Sequence, residues 1–145
     1  MARRPGSLAR AARTLMLDSP ISRVGFGFAT AVGLLWGVPL SVGRIKRHGE
    51  LIICTGLPKW AFRRGGVCVG RVYITNQNVH PRVLKHELVH VDQWRRYGML
   101  FPILYGIAGN NPLTNRFEIE AGLEDGGYVR NTGGTRPSQP SSRSS

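Results

Sequence analysis

The sequence is short of acidic residues, and the few that it has are unevenly placed. Only 8 of 145 residues are Asp or Glu, against 20 Lys and Arg, which gives a formal net charge of +12. Residues 1–71 hold 12 Lys and Arg against 2 acids, whereas the other 6 acids all lie between Glu87 and Asp125. The positive charge therefore belongs to the N-terminal half, and the carboxylates are concentrated in one later stretch.

Cysteine is scarce too, because Cys54 and Cys68 are the only two in the chain. They lack the two-residue spacing of a zinc knuckle, and two cysteines do not make a disulfide framework. If both lie on strands they can face each other and pair, but buried small apolar residues are the simpler interpretation. Aromatic residues are absent from the basic segment 1–23, so a solvated arm is favoured there over nucleic-acid binding.

No charged residue occurs in 24–43. Twenty helical residues span about 30 Å, the thickness of one hydrocarbon core, although five glycines and Pro39 weaken such a helix. Basic residues on both sides give little orientation preference. A membrane anchor and a buried or surface-lying apolar segment are equally consistent with this stretch, so 1–44 is predicted to be a basic extension with an apolar segment. Residues 131–145 have almost nothing to bury and are predicted to be a disordered tail.

The sequence His-Glu-x-x-His begins at His86. Residues four apart lie on one face of an α-helix, so His86 and His90 can point ring nitrogens at one metal ion. Glu87 would lie beside the ion, where it can take a proton from a water molecule and return it to a leaving group. Pro81 suits the first turn of a helix and Gly98 its end, which predicts a helix over 81–97.

A third ligand is needed, and the same helix does not supply a third histidine, because Arg96 stands at that position. Gln93 and Tyr97 fall on the face that carries the histidines, where they can contact the ligands from behind. Downstream, Asn111 and Pro112 predict the start of a second helix that ends at Gly126-Gly127. Two glutamates of this helix, Glu118 and Glu120, are two residues apart, so only one of them can face the ion.

The paired motifs resemble those of the gluzincin metallopeptidases, in which a ligand glutamate follows on a later helix, often as Glu-x-x-Ala-Asp. The run over 81–130 is also similar to small bacterial metallopeptidase-like proteins. The location of this chain stays open, with the bacterial membrane and the cytoplasm as the two options. The resemblance implies a Zn²⁺ ion and selects Glu118, three residues before Ala121, as its third ligand. Glu120 then becomes a residue behind the ligands. Gly122 stands where the aspartate is usual, so a supporting contact to the ligands is expected to be missing.

Two β-rich stretches precede the metal helix. Residues 50–56 and 67–75 are predicted to be strands joined by a loop over 57–66, and together they would form a β-hairpin. In zincins, the strand before the metal helix commonly pairs with extended substrate. By that resemblance 70–75 is a candidate substrate edge, with an ordinary core strand as the equal alternative. In the apolar run that follows the helix, Tyr105 either polarises a substrate carbonyl or packs in the core.

These observations together predict an α+β fold over 45–130, a minimal zincin-like domain in which a β-hairpin is followed by the His-Glu-x-x-His helix and a second ligand-bearing helix. The expected function is hydrolysis of peptide or amide bonds in a peptide or protein substrate, with Zn²⁺ as cofactor. Two alternatives stay open at this point. One is a non-catalytic zincin-like protein used for interaction or assembly, and the other is a basic protein that binds nucleic acid or a membrane surface.

Overall fold

The structure is a computed structural model that describes residues 17–42, 44–58, 60 and 65–129. These residues form an α+β fold with one four-stranded sheet. The elements in chain order are α1 (Pro20–Leu40), β1 (Ile45–His48), β2 (Leu51–Cys54), β3 (Gly66–Val69), β4 (Val72–Thr75), α2 (Pro81–Tyr97), a 3₁₀ turn (Gly98–Leu100), α3 (Phe101–Ala108) and α4 (Arg116–Ala121). Residues 1–16 of the predicted arm over 1–23, and the predicted tail over 131–145, lie outside the described residues.

Helix α2 has the predicted bounds, Pro81–Tyr97. Its N-cap is His80, whose side chain accepts a hydrogen bond from the backbone N–H of Arg82, and it ends at Gly98, which has a positive φ of 54°. A left-handed residue at this point costs little only in glycine. One face of α2 carries apolar residues into the core, and the adjacent face carries buried polar residues. This second face is the one that holds the candidate metal ligands.

The sheet differs from the single predicted hairpin. The stretch 67–75 is not one strand, because a turn at Gly70, with φ of 62°, folds it into the hairpin β3–β4. β1 and β2 form a second hairpin, and β2 runs parallel to β4. The strand order is β1-β2-β4-β3, so β4 is an inner strand and β3 an edge. The predicted pairing of 50–56 with 67–75 as a hairpin is therefore wrong. Of the two equal interpretations of 70–75, a substrate edge and an ordinary core strand, the inner position of β4 agrees with the core strand.

Helix α1 packs along the sheet and α2 through its small residues. A Cβ added to Gly33 would lie 2.8 Å from the carbonyl oxygen of Val69, and one added to Gly37 would lie 3.0 Å from the Sγ of Cys54. Phe26 from the same helix belongs to the core cluster that α2 and the sheet also form. Helix α1, which lies within the predicted extension 1–44, therefore shares a core with the sheet and α2. By length and composition alone, α1 is long and apolar enough to cross a membrane.

The second ligand-bearing helix is shorter than predicted. Asn111 starts only a turn, with its Oδ1 accepting from the N–H of Leu113, and the helix cap is Asn115. The Asn115 side chain also donates to the carbonyl oxygen of Gly109 at 2.8 Å, which fixes the link from α3 to α4. Gly122, with φ of 97°, ends α4, so the predicted start at Asn111 and the predicted end at Gly126-Gly127 are both wrong.

The two cysteines are free thiols in separate parts of the sheet. Cys54 lies on β2 and Cys68 on β3, and β4 runs between these strands. The preferred prediction, that they do not pair, agrees with this arrangement. Burial raises the pKa of both thiols, which keeps them protonated.

Candidate metal centre

Three buried side chains from two helices converge on one point. They are His86, His90 and Glu118, and their ligand atoms all lie within 4.8 Å of one another. The Nε2 atoms of the two histidines are 3.1 Å apart. The carboxylate of Glu118 approaches His86 Nε2 at 3.1 Å through Oε2 and His90 Nε2 at 3.6 Å through Oε1. Such a cluster of two imidazoles and one carboxylate can hold a metal ion.

The two helices are locked together beside the cluster by Gln93. Its Nε2 donates to the carbonyl oxygen of Phe117 and to Oε2 of Glu120, both at 3.0 Å. Phe117 and Glu118 are neighbours on α4, so the bond to the Phe117 carbonyl also fixes the position of Glu118 along α2. The hydroxyl of Tyr105 donates to Oε1 of Glu118. Tyr105 thus holds the candidate ligand, rather than presenting a free hydroxyl to a substrate.

Hydrogen bonds on the outer side of the rings decide which histidine nitrogens face inward. The Nδ1 of His86 lies 3.0 Å from the carbonyl oxygen of Gly122, which can only accept, so Nδ1 carries the proton. The Nδ1 of His90 lies 2.7 Å from Oε1 of Gln93, and the other end of that amide already donates twice, so His90 Nδ1 donates as well. In its neutral form, each ring therefore points an Nε2 lone pair at the cluster centre.

Gly122 corrects an expectation drawn from the family pattern. Because glycine stands where an aspartate is usual, a supporting contact was expected to be missing. The contact is present, but the backbone supplies it, through the Gly122 carbonyl that orients His86.

The charges in the cluster are those of a cation site. Burial disfavours ionisation of Glu118, but contacts with His86, His90 and Tyr105 outweigh it and hold its pKa well below the usual range. Its Oε2 is close to His86 Nε2 but not in hydrogen-bond geometry, and it has no hydrogen-bond partner among the described residues. When the His86 ring is neutral, its inward Nε2 is an acceptor and cannot donate to this oxygen. Two inward lone pairs and a carboxylate at this spacing need a shared proton or a cation between them.

A cavity of about 420 Å³ opens beside the cluster. Glu87 lines it and is only 8% exposed. Burial raises the pKa of Glu87 to about 7, against the opposing effect of His90 and His86. A carboxyl with such a pKa is suited to exchange protons near neutrality. The remaining wall is largely apolar: Gly66, Val67, Cys68 and Val69 of β3, with Trp94, Phe101, Pro102, Tyr105 and Tyr128.

Two of the predicted supporting residues do not reach the ligands directly. Tyr97 lies in the aromatic core, with its ring 5.6 Å from that of Phe117 and 6.4 Å from that of Phe101. Its predicted place behind the ligands is wrong, because α2 has turned it toward α4 rather than the cluster. Glu120 is exposed and touches the site only through Gln93.

Tyr128 is a cavity residue that the sequence did not reveal. It follows α4, and its ring lies 5.9 Å from that of His86. Burial and the nearby charge of Glu118 raise its pKa to about 12. A lone tyrosine next to Gly126-Gly127 has no motif around it, so its place at the site depends on how the chain turns after Gly122.

Comparisons with known proteins found no match, so the class of site is defined by its geometry alone. No protein-family model matches the chain, and neither a curated protein nor a solved structure matches it. The class defined here is a buried two-histidine, one-glutamate cluster on two helices, open to a cavity that a further glutamate lines. The resemblance to gluzincins stays a prediction.

Proposed function

We propose that this protein is a zinc-dependent hydrolase of peptide or amide bonds. His86, His90 and Glu118 would hold the ion, and Glu87 would be the general base. The observation that carries the proposal is the orientation of both histidines, whose Nε2 lone pairs meet beside a carboxylate oxygen that has no hydrogen-bond partner in the described part of the chain. Imidazole and carboxylate are zinc ligands, and three protein ligands with one open position are typical of catalytic sites.

The reaction divides between the ion and the protein. A bound zinc ion supplies a Lewis acid, which polarises a scissile carbonyl and lowers the pKa of water. Glu87 accepts a proton from a water molecule in the cavity and passes it to the leaving nitrogen. Burial raises its pKa to about 7 in the metal-free protein, and the charge of a bound ion would favour the carboxylate form that accepts the proton. Tyr105 and Gln93 position the ligands and do not transfer protons.

The edge strand β3 suits an extended peptide substrate. β3 pairs with β4 on one side only, and its residues 66–69 form one wall of the cavity next to Glu87. An extended peptide can add to such an edge through backbone hydrogen bonds. We assign the sheet, α2 and α4 to a zincin-like arrangement on this basis. The apolar walls at Phe101 and Val67 favour apolar side chains in the substrate.

The test compares wild type, Glu87→Gln and His86→Ala. Purified wild type and Glu87→Gln should each hold about one equivalent of zinc, and His86→Ala should not. Across a broad library of unstructured peptides, wild type should cleave, and Glu87→Gln should lose about 10²–10⁴ in rate. Retention of zinc by His86→Ala would show that the ion does not bind at this site. If wild type and Glu87→Gln bind equal amounts of zinc and wild type cleaves no peptide, the proposal of an enzyme is refuted. The non-catalytic alternative would then be the better interpretation.

A further inference from the structure

Helix α1 exposes an apolar face that carries almost no polar group. Among its exposed positions, Arg23 is the only charged one. The large apolar side chains there are well exposed: Leu35 is 78% exposed, Val24 74% and Phe28 59%. A helix on the surface of a soluble protein normally turns polar residues outward. An apolar outer face of this length marks a surface that another phase or molecule covers.

The opposite face of α1 packs against the rest of the fold along most of the helix. Gly25 lies against the backbone of Met99, Thr30 against Gly70, and Gly37 against Cys54. From Gly25 to Gly37 the contacts extend over about 18 Å of the helix axis, at about 1.5 Å per residue. Helix α1 is therefore fixed to the sheet and α2, and does not project from the domain.

Charged groups beside α1 argue against a membrane-spanning position. The guanidinium groups of Arg71 and Arg95 lie 5.3 and 5.4 Å from the centre of the Phe26 ring. The backbone N–H of Arg71 also bonds to Thr30, near the middle of the helix. If α1 spanned a bilayer in this packing, both arginines would lie at hydrocarbon depth, which is costly. A helix lying in the plane of the membrane keeps them on the water side.

Exposed basic residues lie near both ends of α1, and they indicate the charge of the surface that the helix would bind. Exposed Arg23 lies near the N-terminus of α1, and exposed Arg44, Lys46 and Arg47 follow its C-terminus. Nearby acids are already paired, with Asp18 3.4 Å from Arg96 and Glu50 in contact with Arg95. None of the four basic residues forms an ion pair within the described residues, and apolar side chains flanked by such cations match an anionic lipid leaflet.

We propose that the outer face of α1, with the basic residues at its two ends, binds the surface of an anionic lipid bilayer with the helix axis in the membrane plane. Val24, Phe28 and Leu35 enter the region between headgroups and acyl chains. This binding does not depend on the metal site or on any catalytic activity.

The test uses the full-length protein and vesicles of phosphatidylcholine, with or without phosphatidylglycerol. Wild type should cosediment with the anionic vesicles and be released by about 1 M salt, where the Debye length is only about 3 Å. Phe28→Gln/Leu35→Gln should weaken the partition by about tenfold or more. The control is Leu113→Gln/Ile119→Gln, which changes two side chains that are 50% and 51% exposed away from α1, and it should bind like wild type.

Three other results would overturn the proposal. Equal binding to neutral and anionic vesicles would show that the basic residues do not contribute to membrane binding. Retention in the vesicles after alkaline carbonate would mean that α1 spans the bilayer. Absence of vesicle binding, with a stable dimer that Phe28→Gln/Leu35→Gln dissociates, would assign the face to a second copy of the chain. Circular dichroism of both double variants checks that they remain folded, and because α1 side chains are replaced on its exposed face only, we expect unchanged spectra.

Discussion

Gln93 offers the sharpest test of the metal centre, because one buried side chain connects the ligands to the fold. It is 3% exposed and makes three hydrogen bonds. One orients His90, at 2.7 Å, and the others bind the carbonyl oxygen of Phe117 and the carboxylate of Glu120. Methionine has a similar length and shape but neither an amide oxygen nor an amide N–H. Gln93→Met therefore removes all three bonds while keeping most of the packing.

The expected loss has two parts that can be measured separately. Without the Gln93 acceptor, the His90 ring is free to rotate and to change tautomer, and loss of such a partner typically lowers metal affinity about 10–100-fold. This corresponds to about 1.4–2.8 kcal/mol of binding free energy. The carbonyl oxygen of Phe117 also loses its side-chain donor, which costs about 1–3 kcal/mol of folding free energy with or without zinc.

The assay is a zinc titration against a competing chelator, combined with urea unfolding of the metal-free and zinc-loaded forms. Glu120→Gln is the matched control, since its amide oxygen can still accept from Gln93 and its side chain is exposed. We expect its unfolding free energy to change by no more than about 0.5 kcal/mol. Wild-type zinc affinity in Gln93→Met would refute the assigned role of Gln93, and a loss confined to folding would show that His90 is held in place by packing alone.

Three further predictions concern the ligands, the docking of α1 and the C-terminal tail. Glu118→Gln should lower zinc affinity by more than the roughly 10–100-fold expected for a supporting residue, whereas Glu120→Gln should not. The reverse result in the zinc titration would mean that Glu120, two residues later, is the ligand. Gly33→Ala places a Cβ 2.8 Å from β3 and should cost about 1–3 kcal/mol in urea unfolding, while Gly27→Ala, which meets nothing within 4 Å, should not destabilise. Removal of 131–145 should leave the melting temperature unchanged, because this segment has no apolar residue to bury, and a clear drop would show that it docks.

The metal helix was predictable because its signals are local. Pro81 and Gly98 act within one turn, and the spacing of His86 and His90 is a property of the helix itself. The observed bounds, Pro81–Tyr97, follow from these residues alone. Gln93 was placed on the right face for the same reason, since it lies three residues after His90.

Strand pairing was not predictable, because partners are chosen by tertiary packing. The stretch 67–75 is uniformly β-forming, and Gly70 was the only signal that it turns. Its turn is fixed by Thr30 of α1, whose atoms lie within 2.7 Å of the position of a Gly70 Cβ. The same limit applies to α4, where Asn111 and Asn115 are both good caps and only the tertiary contacts of Asn115 decide between them.

The turn between β3 and β4 connects the two proposed surfaces of the molecule. On one side, Thr30 of α1 binds the N–H of Arg71, and Gly33 contacts Val69. On the other side, Val69 lines the cavity next to the cluster of His86, His90 and Glu118. Helix α1 is therefore a rigid support for the edge strand to which a substrate peptide would add. Phe28 points away from that strand, so a change at its exposed ring alters how the protein meets a membrane without altering the wall of the cleft. Gly33 lies between the two surfaces, so a side chain added there would disturb both together.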